Sequence, residues 1–165
     1  DDMGREVLDK VFADVMGAQA AAVRVQFVSG THAIACALYG VLRPGDEMLS
    51  VVGSPYDTLE EVIGLRGQGQ GSLSDFGIKY RELPLTGEGI VDWNALSQAV
   101  KDNTRLVLIQ RSCGYSWRPS LSIAEIEKIV YLVKQQNPNT VCFVDNCYGE
   151  FIETQEPTHV GADLM

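Results

Sequence analysis

The sequence predicts an α/β fold of three layers, a mostly parallel sheet between two layers of helices. Two observations carry that prediction. Short apolar runs rich in β-formers, at residues 48–52, 106–109 and 141–144, alternate with longer stretches of helical periodicity. The runs are apolar at consecutive positions, as in strands buried on both faces.

In chain order, Val7, Leu8, Val11, Phe12 and Val15 predict an amphipathic helix over 3–16, stopped by Gly17. Residues 20–28 read as a strand. Ser29-Gly30-Thr31-His32 then opens a helix of small residues over 33–41, and Arg43-Pro44-Gly45-Asp46 is a turn. The strand over 48–52 is broken by Gly53-Ser54-Pro55. A helix over 56–65 follows, with Leu59, Val62 and Ile63 on one side. Residues 64–77 contain Gly67, Gly69, Gly71 and Gly77 and read as a flexible loop over a site. A strand over 78–83 comes next, then a short helix capped by Asp92 and running to 100. The apolar strand 106–109 leads into Gln110-Arg111-Ser112. Ser122-Ile123-Ala124-Glu125 is a capping box that starts a helix to about 136, and Asn137-Pro138-Asn139 ends it. The strand 141–144 ends in Asp145. Gly161 to Met165 begins another strand, and this uncapped apolar end predicts an incomplete piece of a longer domain.

The chain has 165 residues, of which 13 are basic and 22 acidic, giving a net charge of −9. That balance disfavours nonspecific binding to nucleic acid, and the apolar runs are too short to span a membrane. Cys36, Cys113, Cys142 and Cys147 form no Cys-x-x-Cys pair. With only His32 and His159 beside them they make no zinc pattern. Reduced thiols in a cytoplasmic protein are expected.

Asp145 is the first candidate site residue. A carboxylate at the C-terminal end of a buried parallel strand stands where open α/β sheets bind ligands, and burying it calls for a partner. Two partners suit it: a protonated ring nitrogen of a cofactor, or a turn in which Asp145 caps the next segment. Ser29, Gly30 and Thr31, between a strand and a helix, suit a phosphate on backbone amides, or a plain N-cap. Tyr56 offers a flat wall for a ring, or is a half-buried tyrosine at a helix start. Arg111, Ser112, Tyr115 and Arg118 share one loop that suits a carboxylate or phosphate ligand, or a solvated surface. His32 is either a polar contact beside Thr31 or a satisfied first-turn histidine. Glu150 and Glu153 suit a solvated face better than a metal or a base. Gly67-x-Gly69-x-Gly71 lacks the strand before it and the helix after it that a dinucleotide loop needs.

Read together, Ser29-Gly30-Thr31-His32-Ala33, Arg43-Pro44-Gly45-Asp46-Glu47, Pro55-Tyr56-Asp57-Thr58-Leu59, Gln110-Arg111-Ser112, Val144-Asp145-Asn146-Cys147-Tyr148-Gly149-Glu150-Phe151 and Gly161-Ala162-Asp163 are more specific than any one of them. In this order they resemble the methionine gamma-lyase-like family, also called aluminium resistance proteins. These are fold-type-I enzymes that use pyridoxal 5′-phosphate (PLP). The resemblance covers the whole chain, residues 1–165, as the core of the large domain. It implies that Gly30 and Thr31, with Ser29, hold the cofactor phosphate, that Tyr56 stacks on the ring, and that Asp145 pairs with the pyridine nitrogen. Ring-edge or substrate contacts would fall to His32, Arg111, Ser112, Tyr115 and Arg118. The implied function is a carbon–sulfur lyase acting on a sulfur-containing or related amino acid, as a homo-oligomer. The family's Schiff-base lysine would follow Met165, and Lys10, Lys79, Lys101, Lys128 and Lys134 match it at no position. Transamination or decarboxylation on the same fold is the nearest alternative. A non-catalytic nucleotide-binding or interaction fragment is the alternative from another class.

Overall fold

The computed structural model describes residues 2–165. Four strands form one sheet in the order β2-β1-β3-β4, every neighbouring pair parallel. They are β1 (Glu47–Ser50), β2 (Lys79–Glu82), β3 (Thr104–Gln110) and β4 (Val141–Asp145). Leu164 makes a parallel bridge to Phe143, so the expected strand after Gly161 begins beside β4. Five α-helices accompany them: α1 (Asp2–Met16), α2 (Gly30–Val41), α3 (Asp57–Ile63), α4 (Trp93–Leu96) and α5 (Ile123–Gln136).

Side chains of a strand alternate between faces, and here the alternation divides the core in two. Leu49, Val107, Ile109, Cys142 and Val144 pack with α4 and α5. Met48, Leu106, Leu108 and Phe143 pack with α2 and α3. Because both faces are covered, the strands read as unbroken apolar runs. Strand order reverses between β1 and β3, since β1 leads to β2 on one side while the chain returns past it to β3 on the other. Open α/β sheets bind ligands in the crevice at such a reversal, beyond the C-terminal strand ends.

The structure corrects several expected elements. Residues 20–28 form no strand. Val25 and Val28 are largely exposed, and the segment is held from outside the sheet. Asp9 accepts the Val23 N–H at 2.7 Å and the Arg24 guanidinium at 2.6 Å. The α4 helix stops at Leu96 instead of reaching 100, where the backbone tightens into turns from Gln98 to Ala95 and from Ala99 to Leu96. The glycine-rich segment is anchored at its second half by buried Leu73, by a 3-10 turn over Ser74–Phe76, and by Asp75 accepting from Ser72. The apolar stripe of α1 exists, but Val7, Val11 and Val15 are about half exposed or more.

Leu108, fully buried on β3 between β1 and β4, tests the two-faced core. Leu108→Ala should lower unfolding free energy in urea by about 2–5 kcal/mol. A loss below about 1 kcal/mol would mean that this face is not tightly packed.

Candidate functional site

The same alternation sorts the residues at the strand ends. Gln110 and Asp145 are partners in the β3–β4 register, two residues beyond Leu108 and Phe143, so both belong to the α2/α3 face. The N-termini of α2 and α3 meet that face at the same end of the sheet. Ser29 caps α2 in extended conformation, its Oγ accepting the His32 N–H at 3.1 Å. The N–H groups of Gly30 and Thr31 have no acceptor among the described residues, as the first turn of a helix leaves them. Thr31 Oγ1 lies 3.0 Å from the Tyr56 hydroxyl and 3.2 Å from Thr58 Oγ1. Tyr56 is the N-cap residue of α3, but its side chain makes no capping bond. Its backbone N–H donates instead to Gln110 Oε1 at 3.2 Å. Thr31, Tyr56, Gln110 and Asp145 thus form one row beyond the strand ends.

Asp145 is half-buried at the end of β4 and accepts the Cys147 N–H at 3.2 Å. No cation stands within ion-pair distance of it among the described residues. Burial pushes its carboxyl above the ordinary value, the Cys147 N–H opposes this, and the charge of Glu150 adds to it. Burial also raises the Tyr56 hydroxyl, partly offset by its bond to Thr31, and the nearby Asp145 pushes in the same direction as burial. A cleft of about 320 Å³ lies beside this row, lined by Ser54, Tyr56, Gln110, Tyr115 and Ser116 among others. A wider one of about 800 Å³ runs along Ser29, Thr31, Thr58 and the glycine-rich segment, and Arg66 lines both.

The arginine loop is a correction. Arg111 follows Gln110 and so faces the opposite side, where it is buried. Its Nε donates to Leu121 O, Nη1 to Asn146 Oδ1 and Gly149 O, and Nη2 to Glu153 at 2.8 Å. Asn146 in turn donates to Glu156 at 2.8 Å. A Cβ on Gly149 would come within 2.5 Å of Arg111 Cδ, so glycine is needed there. Arg111 is therefore spent on fixing the turn after β4 and is not free for a ligand. Glu153, read as solvated, is its partner.

Arg118 is likewise occupied by the carbonyls of Gln110, Ser112 and Pro119, and burial lowers its pKa. His32 accepts the Val28 N–H at 3.3 Å and meets Phe27 edge-on, as a satisfied first-turn histidine does. The Ser112 carbonyl is taken by Gln110 and Arg118. Tyr115 remains exposed at the mouth of the smaller cleft. Gln110 and Thr58 were not singled out from the sequence. Strand parity, counted two residues on from Leu108, would have placed Gln110.

No lysine reaches this row. Lys79 opens β2, Lys101 lies 3.7 Å from Glu47 at the start of β1, and Lys134 bonds Thr140 O just before β4. All three belong to the opposite end of the sheet. Lys128 sits 3.9 Å from the centre of the Trp93 ring on the α4/α5 side, and Lys10 is on α1.

A parallel sheet covered on both faces, with polar residues gathered at the C-terminal strand ends, is the architecture of open α/β domains, the large domain of fold-type-I enzymes among them. The chain belongs to the methionine gamma-lyase family, whose model matches residues 1–165. It is 54% identical over its whole length to the uncharacterized protein YnbB of Bacillus subtilis, of which it covers 39%. It is 27% identical to the L-methionine gamma-lyase of Pseudomonas putida, over 96% of this chain and 34% of that one. A solved carbon-sulfur lyase involved in aluminum resistance from Clostridium novyi superposes with a TM-score of 0.93 at 47% identity, over 99% of this chain and 39% of that one. The chain thus spans about two fifths of the length of these relatives. Among the described residues, no helix is long and apolar enough to cross a membrane.

The raised carboxyl of Asp145 makes stability depend on pH. The folded protein holds this proton more tightly than the unfolded chain, so the group's contribution is full below the ordinary value of 3.8 and is lost as pH rises through the raised value. In the full-length apoprotein, Asp145→Asn should therefore raise the urea midpoint above wild type at about pH 7. The two should converge below pH 3.8. Equal midpoints at neutral pH would show that the carboxylate carries no burial penalty.

Proposed function

We propose that residues 1–165 are the PLP-binding core of a carbon–sulfur lyase acting on a sulfur-containing or related amino acid. The observation that carries the reading is Asp145, a half-buried carboxylate at the C-terminal end of β4, one strand away from the order reversal, with no cation against it among the described residues. A protonated pyridine nitrogen is the partner such a group lacks. The other residues fit the same cofactor. The unsatisfied N–H groups of Gly30 and Thr31, at the start of a 12-residue helix, suit a phosphate through hydrogen bonds and the helix dipole. The Tyr56 ring lies between that end and Asp145, held by Thr31 at its hydroxyl, and offers the flat wall.

When bound, PLP supplies a protonated ring that draws electrons from a substrate carbon next to it. The contribution of this chain is to position and to charge. Gly30 and Thr31 orient the phosphate, Tyr56 fixes the plane, and Asp145 keeps a proton on the ring nitrogen. The glycine-rich segment walls the wider cleft on the α2 side. The proton-moving lysine is expected outside residues 1–165, in keeping with the absence of any of the five lysines from the row. The names borne by the Clostridium and Pseudomonas relatives support carbon–sulfur bond cleavage as the reaction.

Two measurements on the full-length protein test this. Borohydride reduction followed by peptide mass spectrometry should label one lysine beyond Met165. Labelling of Lys10, Lys79, Lys101, Lys128 or Lys134, or of none, would contradict the reading. Asp145→Ala should lower turnover on the order of 10²–10³-fold, as loss of a buried electrostatic stabiliser does, and should weaken cofactor binding far less. Near-normal turnover would remove the role given to Asp145.

A further inference from the structure

Gln110 is a buried polar side chain at the end of an otherwise apolar strand, 6% exposed. Burying an amide without partners is costly, and an apolar residue would continue the α2/α3 face as Leu106 and Leu108 do. The amide is instead satisfied on both sides. Its Oε1 accepts the Tyr56 N–H at 3.2 Å, and its Nε2 donates to the Ser112 carbonyl at 3.3 Å. The amide orientation is fixed by these partners, because exchanging its oxygen and nitrogen would set donor against donor and acceptor against acceptor. Gly114, at φ +57°, closes over it, and a Cβ there would come within 2.8 Å of Gln110 Nε2. The backbone carbonyl of Gln110 is held as well, by Arg118 Nη2 at 2.8 Å.

We propose that Gln110 is a positioning residue that locks the Tyr56 ring and the 112–116 loop onto the strand end beside Asp145. The Tyr56 hydroxyl meets Thr31 and its backbone N–H meets Gln110, so the residue is held at its hydroxyl and at its main chain. The α3 helix begins at Tyr56 without a side-chain cap of its own. Gln110 supplies from β3 the acceptor that the helix start lacks. Its neighbour across the ladder is Asp145, so one amide sets the spacing between Tyr56, which lines the smaller cleft, and the carboxylate at the end of the next strand. The second half of the amide fixes the loop that brings Tyr115 and Ser116 to the smaller cleft. The importance of this spacing for a cofactor rests on the PLP reading. The lock itself does not.

The experiment compares the full-length apoprotein, Gln110→Met and Gln110→Glu by site-resolved hydrogen exchange, then measures equilibrium binding of PLP to each. Methionine fills the space and makes neither bond. It should speed exchange of the Tyr56 amide by about tenfold, the effect of losing one modest hydrogen bond, and should weaken PLP binding by a similar factor. Glutamate keeps the acceptor for Tyr56 but opposes the Ser112 carbonyl with charge. It should leave the Tyr56 amide protected while the 112–116 peptide exchanges faster. If Gln110→Met does not fold, Gln110→Glu alone decides the matter, since unchanged exchange in 112–116 or lost protection at Tyr56 overturns the proposal. In Gln110→Met, a Tyr56 amide exchanging at the wild-type rate overturns it too. Faster exchange at Tyr56 in a protein whose wild type binds no PLP would uphold the lock and remove the cofactor reading beneath it.

Discussion

Strand β3 has no access to water along its apolar length. Val107 and Ile109 are sealed by α4 and α5, Leu106 and Leu108 by α2 and α3, and β1 and β4 flank it. Polar groups can enter such a strand only at its ends, where the backbone meets loops and helix termini. The placement of the candidate site follows from that exclusion. Gln110 and Asp145 are the last residues of their strands, and the starts of α2 and α3 meet them on one face. The opposite end of the sheet holds a different polar group, the buried Glu47 with Arg81 and Thr104, which pins strand starts together.

Parity then divides the strand-end residues into two jobs. Gln110 and Asp145 point to the α2/α3 side, where Gln110 lines the smaller cleft. Arg111 and Asn146, one residue further on, turn to the α5 side and bond to each other at 2.9 Å. All three guanidinium nitrogens are engaged there, by Leu121, by Asn146 and Gly149, and by Glu153. Removing one member of such a buried charged group leaves the others unpaired, which costs far more than a surface pair does. The position of Asp145 thus depends on a network that lies on the other face of the sheet from the two clefts. A carboxylate held this firmly and left without a cation is less stable alone than with a positive partner.

The sheet, its order of elements and the strand ends that carry the candidate site were legible in the sequence, because two-faced strands and capped helices leave strong local signals. Ser122 and Glu125 form the expected capping box, and Ser29 caps the helix that it was expected to open. The misreadings have local physical causes. Residues 20–28 carry strand-forming valines but find no neighbouring strand, and Asp9 claims their backbone instead. Arg111 and Arg118 looked like ligand donors because composition does not reveal which carbonyls surround a guanidinium. Gln110 lies in a motif of the resemblance but was given no role, because a glutamine after an apolar run carries no chemistry of its own. Its meaning lies in the register with Asp145, which only the paired strands disclose.

The proposed pairing of Asp145 with a ring nitrogen is tested most directly by a crystal structure of the full-length protein with PLP bound. The phosphate should sit on the N–H groups of Gly30 and Thr31, and the pyridine nitrogen should lie about 2.7–2.9 Å from an Asp145 oxygen, the distance of a charge-assisted hydrogen bond. A cofactor bound elsewhere, or one whose ring nitrogen faces away from Asp145, would contradict it.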